Sequence, residues 1–154
     1  MSQLPEDRKL YKIGVTAEMV GVSVPTLRMY ENEGLLIPIK SDGGTRYFDE
    51  QDIAWIRCIR RMITELGLNL EGIRRLLALI PCRDFRKCDD AHHAHCQAAK
   101  DVNKPCWIAR ANNGGVRLQE CHDCPAFRYS INCENLKSLF VIRLKQLAEA
   151  QRQH

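Results

Sequence analysis

Residues 21–36 read GVSVPTLRMYENEGLL, and the order of their punctuation decides the fold. Ser23 can accept a hydrogen bond from the start of a helix, Pro25 is tolerated in a first helical turn, and Gly34 ends a helix cheaply in the left-handed conformation. The stretch therefore predicts one short helix between Ser23 and Gly34. Upstream, Tyr11, Lys12 and Ile13 form a short extended candidate, and Thr16 can cap a helix of one to two turns through Val20 that stops at Gly21. Two short helices about a glycine turn predict a helix-turn-helix. Downstream, Ser41-Asp42-Gly43-Gly44 lies between Leu36-Ile37 and Arg46-Tyr47-Phe48, the pattern of a hairpin and hence a small wing.

A longer helix follows. Asp49 is its N-cap candidate, and Ile53, Ile56, Ile59 and Ile63 recur at helical spacing and form its core-facing set. Cys58 falls on the opposite face, where it reads as a surface or partner-covered thiol without a role, since no residue is placed to activate it. Gly67 stops this helix and Asn69 can cap the next, whose apolar stripe is Ile73, Leu76, Leu77 and Ile80 before Pro81.

Composition excludes several classes. With 154 residues, 45% hydrophobic and 27% charged, the chain fits two small folded units and excludes wholesale disorder. No apolar stretch approaches the roughly 20 residues that span a bilayer, and MSQLPEDRKLYK is too polar for a secretory signal. The cytoplasm is the expected compartment and no membrane partner is expected. Across residues 1–76, eleven Lys and Arg balance eleven Asp and Glu, so bulk charge does not argue for nucleic acid and pattern must.

The pattern is specific. Ile13-Gly14, Gly21-Val22-Ser23, Thr26-Leu27-Arg28-Met29-Tyr30-Glu31, Gly34-Leu35-Leu36, Arg46-Tyr47-Phe48 and Asp52-Ile53 resemble, in order and spacing, the mercury-resistance regulator (MerR) family. Gly43-Gly44-Thr45-Arg46-Tyr47 followed by Leu66-Gly67-Leu68-Asn69-Leu70-Glu71-Gly72-Ile73 resembles its heat-shock repressor (HspR) branch. The likeness covers about residues 11–80. Met29 departs from it where many relatives carry a tyrosine. The resemblance implies a winged helix-turn-helix, a homodimer on near-palindromic promoter DNA joined by an antiparallel helix, and RNA polymerase as a partner at the promoter. It implies a regulator and not an enzyme.

The residues fit a DNA interface on their own terms. A helix entering the major groove needs short donors near its N-terminus and charged or phenolic groups at its flanks to hold phosphates. Ser23, Thr26, Arg28 and Tyr30 supply both, and Arg46 and Tyr47 stand on the wing. For Tyr30 and Tyr47 the alternative is packing, because tyrosine is amphipathic. Arg60, Arg61, Arg74 and Arg75 read as a solvated face.

Residues 81–133 carry seven of the eight cysteines without sustained apolar periodicity, so ordinary core burial does not explain their order and a metal is expected to supply it. Thiolates select zinc, Cu(I) or iron–sulfur clusters. Cys121-His122-Asp123-Cys124-Pro125 is the strongest element, with Cys133 as third ligand and Cys106 as fourth. Cys82, Cys88 and Cys96 form a second group that His95 can complete. Lys104-Pro105-Cys106-Trp107 through Cys133 also resembles the small Cys-Trp modules of bacterial sensory proteins. The excess of thiolate, the Cys-Pro ending and the family's cysteine-cluster superoxide sensor favour a redox- or gas-sensing iron–sulfur cluster. A structural zinc with a protein partner as signal, or a thiol–disulfide switch, stays open.

The last helix candidate is Glu134 to Gln151, where Leu136, Phe140, Leu144 and Leu147 repeat at coiled-coil spacing. The expected architecture is mainly α: a DNA-binding domain over 11–80, a cysteine-rich metal-binding insertion over 81–133, and a dimerisation helix over 134–154. The alternative for that helix is packing against its own chain.

Overall fold

A computed structural model describes residues 4–80, 100–112 and 121–153. Strand β1 (Tyr11–Lys12) leads directly into α1 (Ile13–Val20) and α2 (Val24–Asn32). Strands β2 (Ile39–Lys40) and β3 (Arg46–Phe48) form the wing, followed by α3 (Glu50–Thr64) and α4 (Leu70–Ala78). Among the described residues, three further helices follow: α5 (Cys106–Asn112), α6 (Pro125–Ser130) and α7 (Cys133–Arg152). Among the described residues no helix is long and apolar enough to cross a membrane.

Local signals place most of the boundaries. Ser23 accepts from the Thr26 N–H at 3.2 Å and Asn69 accepts from the Gly72 N–H at 2.8 Å, which satisfies first-turn donors that have no partner inside a helix. Beyond α2, Gly34 takes φ +77°. The first helix differs from expectation: it starts at Ile13 and its N-cap, Lys12, makes no side-chain capping bond. Thr16 is buried inside that helix, with its hydroxyl 3.5 Å from the Tyr11 carbonyl.

The two wing strands join β1 in one sheet of order β1-β3-β2, antiparallel throughout, with Tyr11 opposite Phe48 and Ile39 opposite Tyr47. Strand β2, at the edge of this sheet, starts at Ile39, two residues beyond the Leu36-Ile37 pair expected to flank the turn.

One core runs through the described chain. Leu27, Tyr30, Leu35, Phe48, Trp55, Ile56, Ile59, Ile73 and Leu77 join Trp107, Cys121, Phe127 and Ile131 in a single buried cluster. Residues of the cysteine-rich segment thus enter ordinary core packing, contrary to the sequence expectation. The cause is its aromatic and aliphatic residues, which lack helical periodicity yet converge on α2 and α3. Helix α3 is consequently covered on two sides: Ile53, Ile56 and Ile59 face the winged lobe, and Cys58, expected on the surface or under a partner, is only 6% exposed within this chain itself.

Candidate nucleic-acid interface and its C-terminal latch

The surface expected to meet DNA is built on α2 and the wing. Ser23 and Arg28 are exposed and Thr26 is half-buried. The hydroxyls of Ser23 and Thr26 lie 2.8 Å apart, so the helix start presents a paired set of short donors. Arg46 is half-buried and donates to Glu31 on α2 at 2.6 Å, and Lys40 reaches the same carboxylate at 3.5 Å. Glu31 therefore ties both wing strands to α2. Tyr47 is half-buried in β3. Tyr30 stands apart from the set: its ring is 4% exposed and belongs to the core. Burial pushes its phenol up from the ordinary value, against the opposing charge of Arg60.

Behind this surface, the chain returns from the C-terminal side and grips the lobe at two places. The first is the turn between α2 and the wing. Two indoles donate to neighbouring carbonyls there: Trp55 of α3 to Leu35 at 2.9 Å, and Trp107 of α5 to Gly34 at 2.8 Å. A Cβ added at Gly34 would collide with the Ile108 side chain. Glycine is thus required twice, for its backbone conformation and for the approach of α5. Phe127 of α6 completes the contact, edge-on to Trp107 with centroids 5.1 Å apart.

The second is the start of α3. Asp49 and Asp52 form a reciprocal capping box: the Asp52 N–H donates to Asp49 at 2.9 Å and the Asp49 N–H to Asp52 at 3.0 Å. Both carboxylates are buried, which is costly unless they are paired. Their partners come from far along the chain. Arg128 of α6 spans the two, at 2.7 Å to Asp49 Oδ2 and 3.3 Å to Asp52 Oδ1. His122 Nε2 lies 3.1 Å from Asp52 Oδ2, and its Nδ1 lies 3.1 Å from Asp123. Arg8 bridges Asp49 at 3.3 Å and Asp123 at 2.9 Å.

The electrostatics follow from that geometry. Burial would lift the Asp49 carboxyl, but the Asp52 backbone bond and Arg128 hold it below the usual range. Burial pushes the Asp52 carboxyl up, more than its bond to His122 lowers it. Burial works against the His122 imidazolium and so does Arg128, yet the bond and charge of Asp52 raise its pKa. Together these directions mean that the Asp52–His122 pair gives up its proton less readily than the free groups would. Asp123 is held low, chiefly by Arg8 and His122 acting against its partial burial.

Asp49, Asp52 and His122 offer donor atoms within 4.8 Å of one another, a spacing that could hold a metal. Here every carboxylate oxygen already accepts from a backbone N–H, a guanidinium or the imidazole. A cation would have to displace Arg128, so the cluster reads as an ion-pair latch.

The cysteines are arranged differently from expectation. Cys133, expected with Cys106, Cys121 and Cys124, is bonded to Cys58 in a disulfide across 75 residues. Cys121 is buried and Cys106 and Cys124 are half-buried, with Cys121 and Cys124 in one turn where the Cys124 N–H donates to the Cys121 carbonyl at 3.1 Å. Among the described residues, no three of these sulfurs meet at a common metal-binding point. The spacing C-x-x-C was informative about the turn, whereas the choice of Cys133 as third ligand rested on nearness in sequence alone. Cys82, Cys88, Cys96 and His95 lie outside the described residues. Reading by residue type also missed Arg8, Arg128, Trp107 and His122 as joints of the structure. The one local hint was a pair of carboxylates, Asp49 and Asp52, at a helix start.

Comparison with known proteins bears on the whole arrangement. A family model described as MerR HTH family regulatory protein matches residues 11–80. The chain is 30% identical over 139 residues to the HTH-type transcriptional regulator ZntR of Escherichia coli, covering 84% of this chain and 92% of that protein. It is 33% identical over 129 residues to the mercuric resistance operon regulatory protein of Pseudomonas fluorescens, covering 82% and 85%. Its likeness to HspR of Streptomyces coelicolor, 35% over 77 residues, spans about half of each protein, 50% and 51%. No solved structure matches.

Proposed function

The chain belongs to the MerR family of helix-turn-helix regulatory proteins, and from that premise we propose that it binds promoter DNA as a homodimer and passes a signal from its cysteine-bearing C-terminal segment to the DNA-binding lobe. Family membership makes it a transcription regulator and not an enzyme. The observation that carries the proposal is the latch: Arg128 and His122 hold the carboxylates that start α3, and Trp107 holds the turn that ends α2. A shift of the C-terminal segment therefore acts on both sides of the wing at once. In a two-state regulator, such a shift need only change the angle between two bound lobes to alter the DNA and its use by RNA polymerase.

In this reading α2 enters the major groove with Ser23, Thr26 and Arg28, while Arg46 and Tyr47 reach flanking backbone from the wing. Tyr30 serves the core beneath them. The chain divides as a DNA-binding lobe over 11–80, a cysteine segment over 81–133 and a terminal helix over 134–154 that joins the dimer in the cytoplasm. Leu147 on that helix is 50% exposed, as an unfilled seam position would be.

Metal–thiolate chemistry is the signal this segment suits best. A closed tetrahedral zinc site needs four donors. Cys121 and Cys124 offer two from one turn and Cys106 is a third candidate. With Cys133 bonded to Cys58, a fourth would have to come from Cys82, Cys88, Cys96 or His95. An iron–sulfur cluster would need a comparable thiolate set, and the described residues lend it no support, so no step is routed through one.

The test is selection of genomic fragments by the purified full-length protein, followed by binding titrations at several salt concentrations. Arg28→Ala is expected to weaken binding about tenfold and reduce the salt slope by about one unit, as loss of one phosphate contact does. Failure to retain any fragment above non-specific binding refutes the reading. Metal analysis of the same sample, with Cys121→Ser and Cys124→Ser alongside, decides whether the segment holds zinc.

A further inference from the structure

The residue dismissed from sequence, Cys58, has the least expected partner in the structure. Cys58 sits in the middle of α3 and Cys133 is the first residue of α7, and the two are joined. They share an open groove of about 330 Å³ with Trp55, Arg57, Arg61 and Asn132. Their environments differ. Cys58 is 6% exposed, whereas Cys133 lies on the surface. Cys133 is thus the exposed residue of the pair and Cys58 the covered one.

We propose that Cys58 and Cys133 form a reversible thiol–disulfide pair that fixes how α7 leaves the DNA-binding lobe, with low-molecular-weight disulfides and thiols as its oxidant and reductant. The reaction balances as two-electron exchange. In the oxidising direction the accessible Cys133 thiolate attacks an external disulfide and one thiol leaves. The Cys58 thiolate then attacks the Cys133 sulfur of the mixed disulfide and the second external thiolate leaves; the two leaving thiolates take up the two protons given up by the cysteines, so the net exchange is two thiols and one disulfide on each side. Reduction runs the same steps backwards, and an external thiolate enters at Cys133 because Cys58 is covered.

Position gives the pair its effect. The latch made by Arg128, His122 and Trp107 holds α5, α6 and the turn before α6 against the lobe in either redox state, because none of its bonds involves Cys58 or Cys133. The disulfide adds a fixed point at the first residue of α7. Without it, no covalent cross-link holds the helix start to the lobe beyond the chain through Ile131 and Asn132, so the direction of α7 gains freedom to vary while the core stays closed. This deepens the function proposed above, because α7 is the helix assigned there to the dimer.

The experiment equilibrates the full-length protein in glutathione buffers of graded ratio, blocks free thiols and digests with trypsin. The expected product of the oxidised arm is Cys58–Arg60 linked to Tyr129–Lys137, absent from the reduced arm and from Cys133→Ser, a surface substitution that leaves the core intact. Hydrogen exchange on the two forms should show amides of the first two turns of α7 exchanging at least tenfold faster when reduced, with α4 unchanged. Two results overturn the proposal: no linked peptide at any ratio, including the case where chelation frees both thiols, or a linked peptide with identical exchange in the two forms. Operator binding is read in parallel. Absence of DNA binding in both forms would refute the function proposed above, and the peptide and exchange data would still decide the pair.

Discussion

Replacing Arg128 with methionine keeps the apolar stem and removes the guanidinium that spans Asp49 and Asp52. The bonds lost are those at 2.7 Å and 3.3 Å, to carboxylates whose side chains are 5% and 1% exposed. Removing one partner of a fully buried ion pair costs about 3–5 kcal/mol. Two facts reduce that figure: Arg128 is itself 19% exposed, and Arg8 and His122 remain as counter-charges. A loss of about 2–3 kcal/mol follows, or about 5–10 °C in melting temperature for a chain of this size. Because the carboxylates are buried, 0.5 M salt should shrink the effect by less than half. Arg128→Lys restores charge without the fork and should recover about half of the loss. The assay is chemical and thermal unfolding of the full-length protein at low and high salt. A loss below about 0.5 kcal/mol, or one abolished by salt as for an exposed pair, refutes the claim that this arginine closes the latch.

Two further outcomes are expected. Trp107→Phe keeps the ring against Phe127 but loses the bond to the Gly34 carbonyl, at a cost of about 1 kcal/mol; an unchanged urea midpoint would show that the bond contributes nothing. Stability should also fall on both sides of a plateau in pH. His122 is raised in the folded protein and Asp52 is raised by burial, so their contribution is present below their unfolded values and fades as pH rises, for His122 from about 6.5 upward. Asp49 and Asp123 are lowered, so theirs is present above about 3.9 and is lost as pH falls through their folded values. Thermal melts from pH 3 to 9 check both limbs; a melting temperature that climbs above about pH 6.5 contradicts the sign given for His122.

What could be read from the sequence were the features in which cause and effect lie within a few residues. Ser23, Asp49 and Asn69 cap helices because each meets an N–H two or three positions on, and Gly34 ends α2 because its own backbone requires it. The winged helix-turn-helix was legible for that reason. The latch was not: Arg128 and His122 meet their carboxylates across 70–79 residues and Trp107 meets Gly34 across 73, where no periodicity or spacing connects them. Cys58 was misjudged for the same reason, since helical phase shows which face a residue is on but not what returns to cover it.

The hydrogen bonds of the two indoles fall on main-chain carbonyls at Gly34 and Leu35 and on no side chain of α2 or the wing. A carbonyl is the same acceptor whatever residues surround it. Exposed side chains of α2 and the wing, such as Ser23 and Arg28, can therefore be exchanged while the C-terminal segment keeps its hold, provided glycine stays at position 34 and the buried Leu27, Tyr30 and Phe48 are kept. Choice of target and response to signal are thereby separable properties of one small lobe.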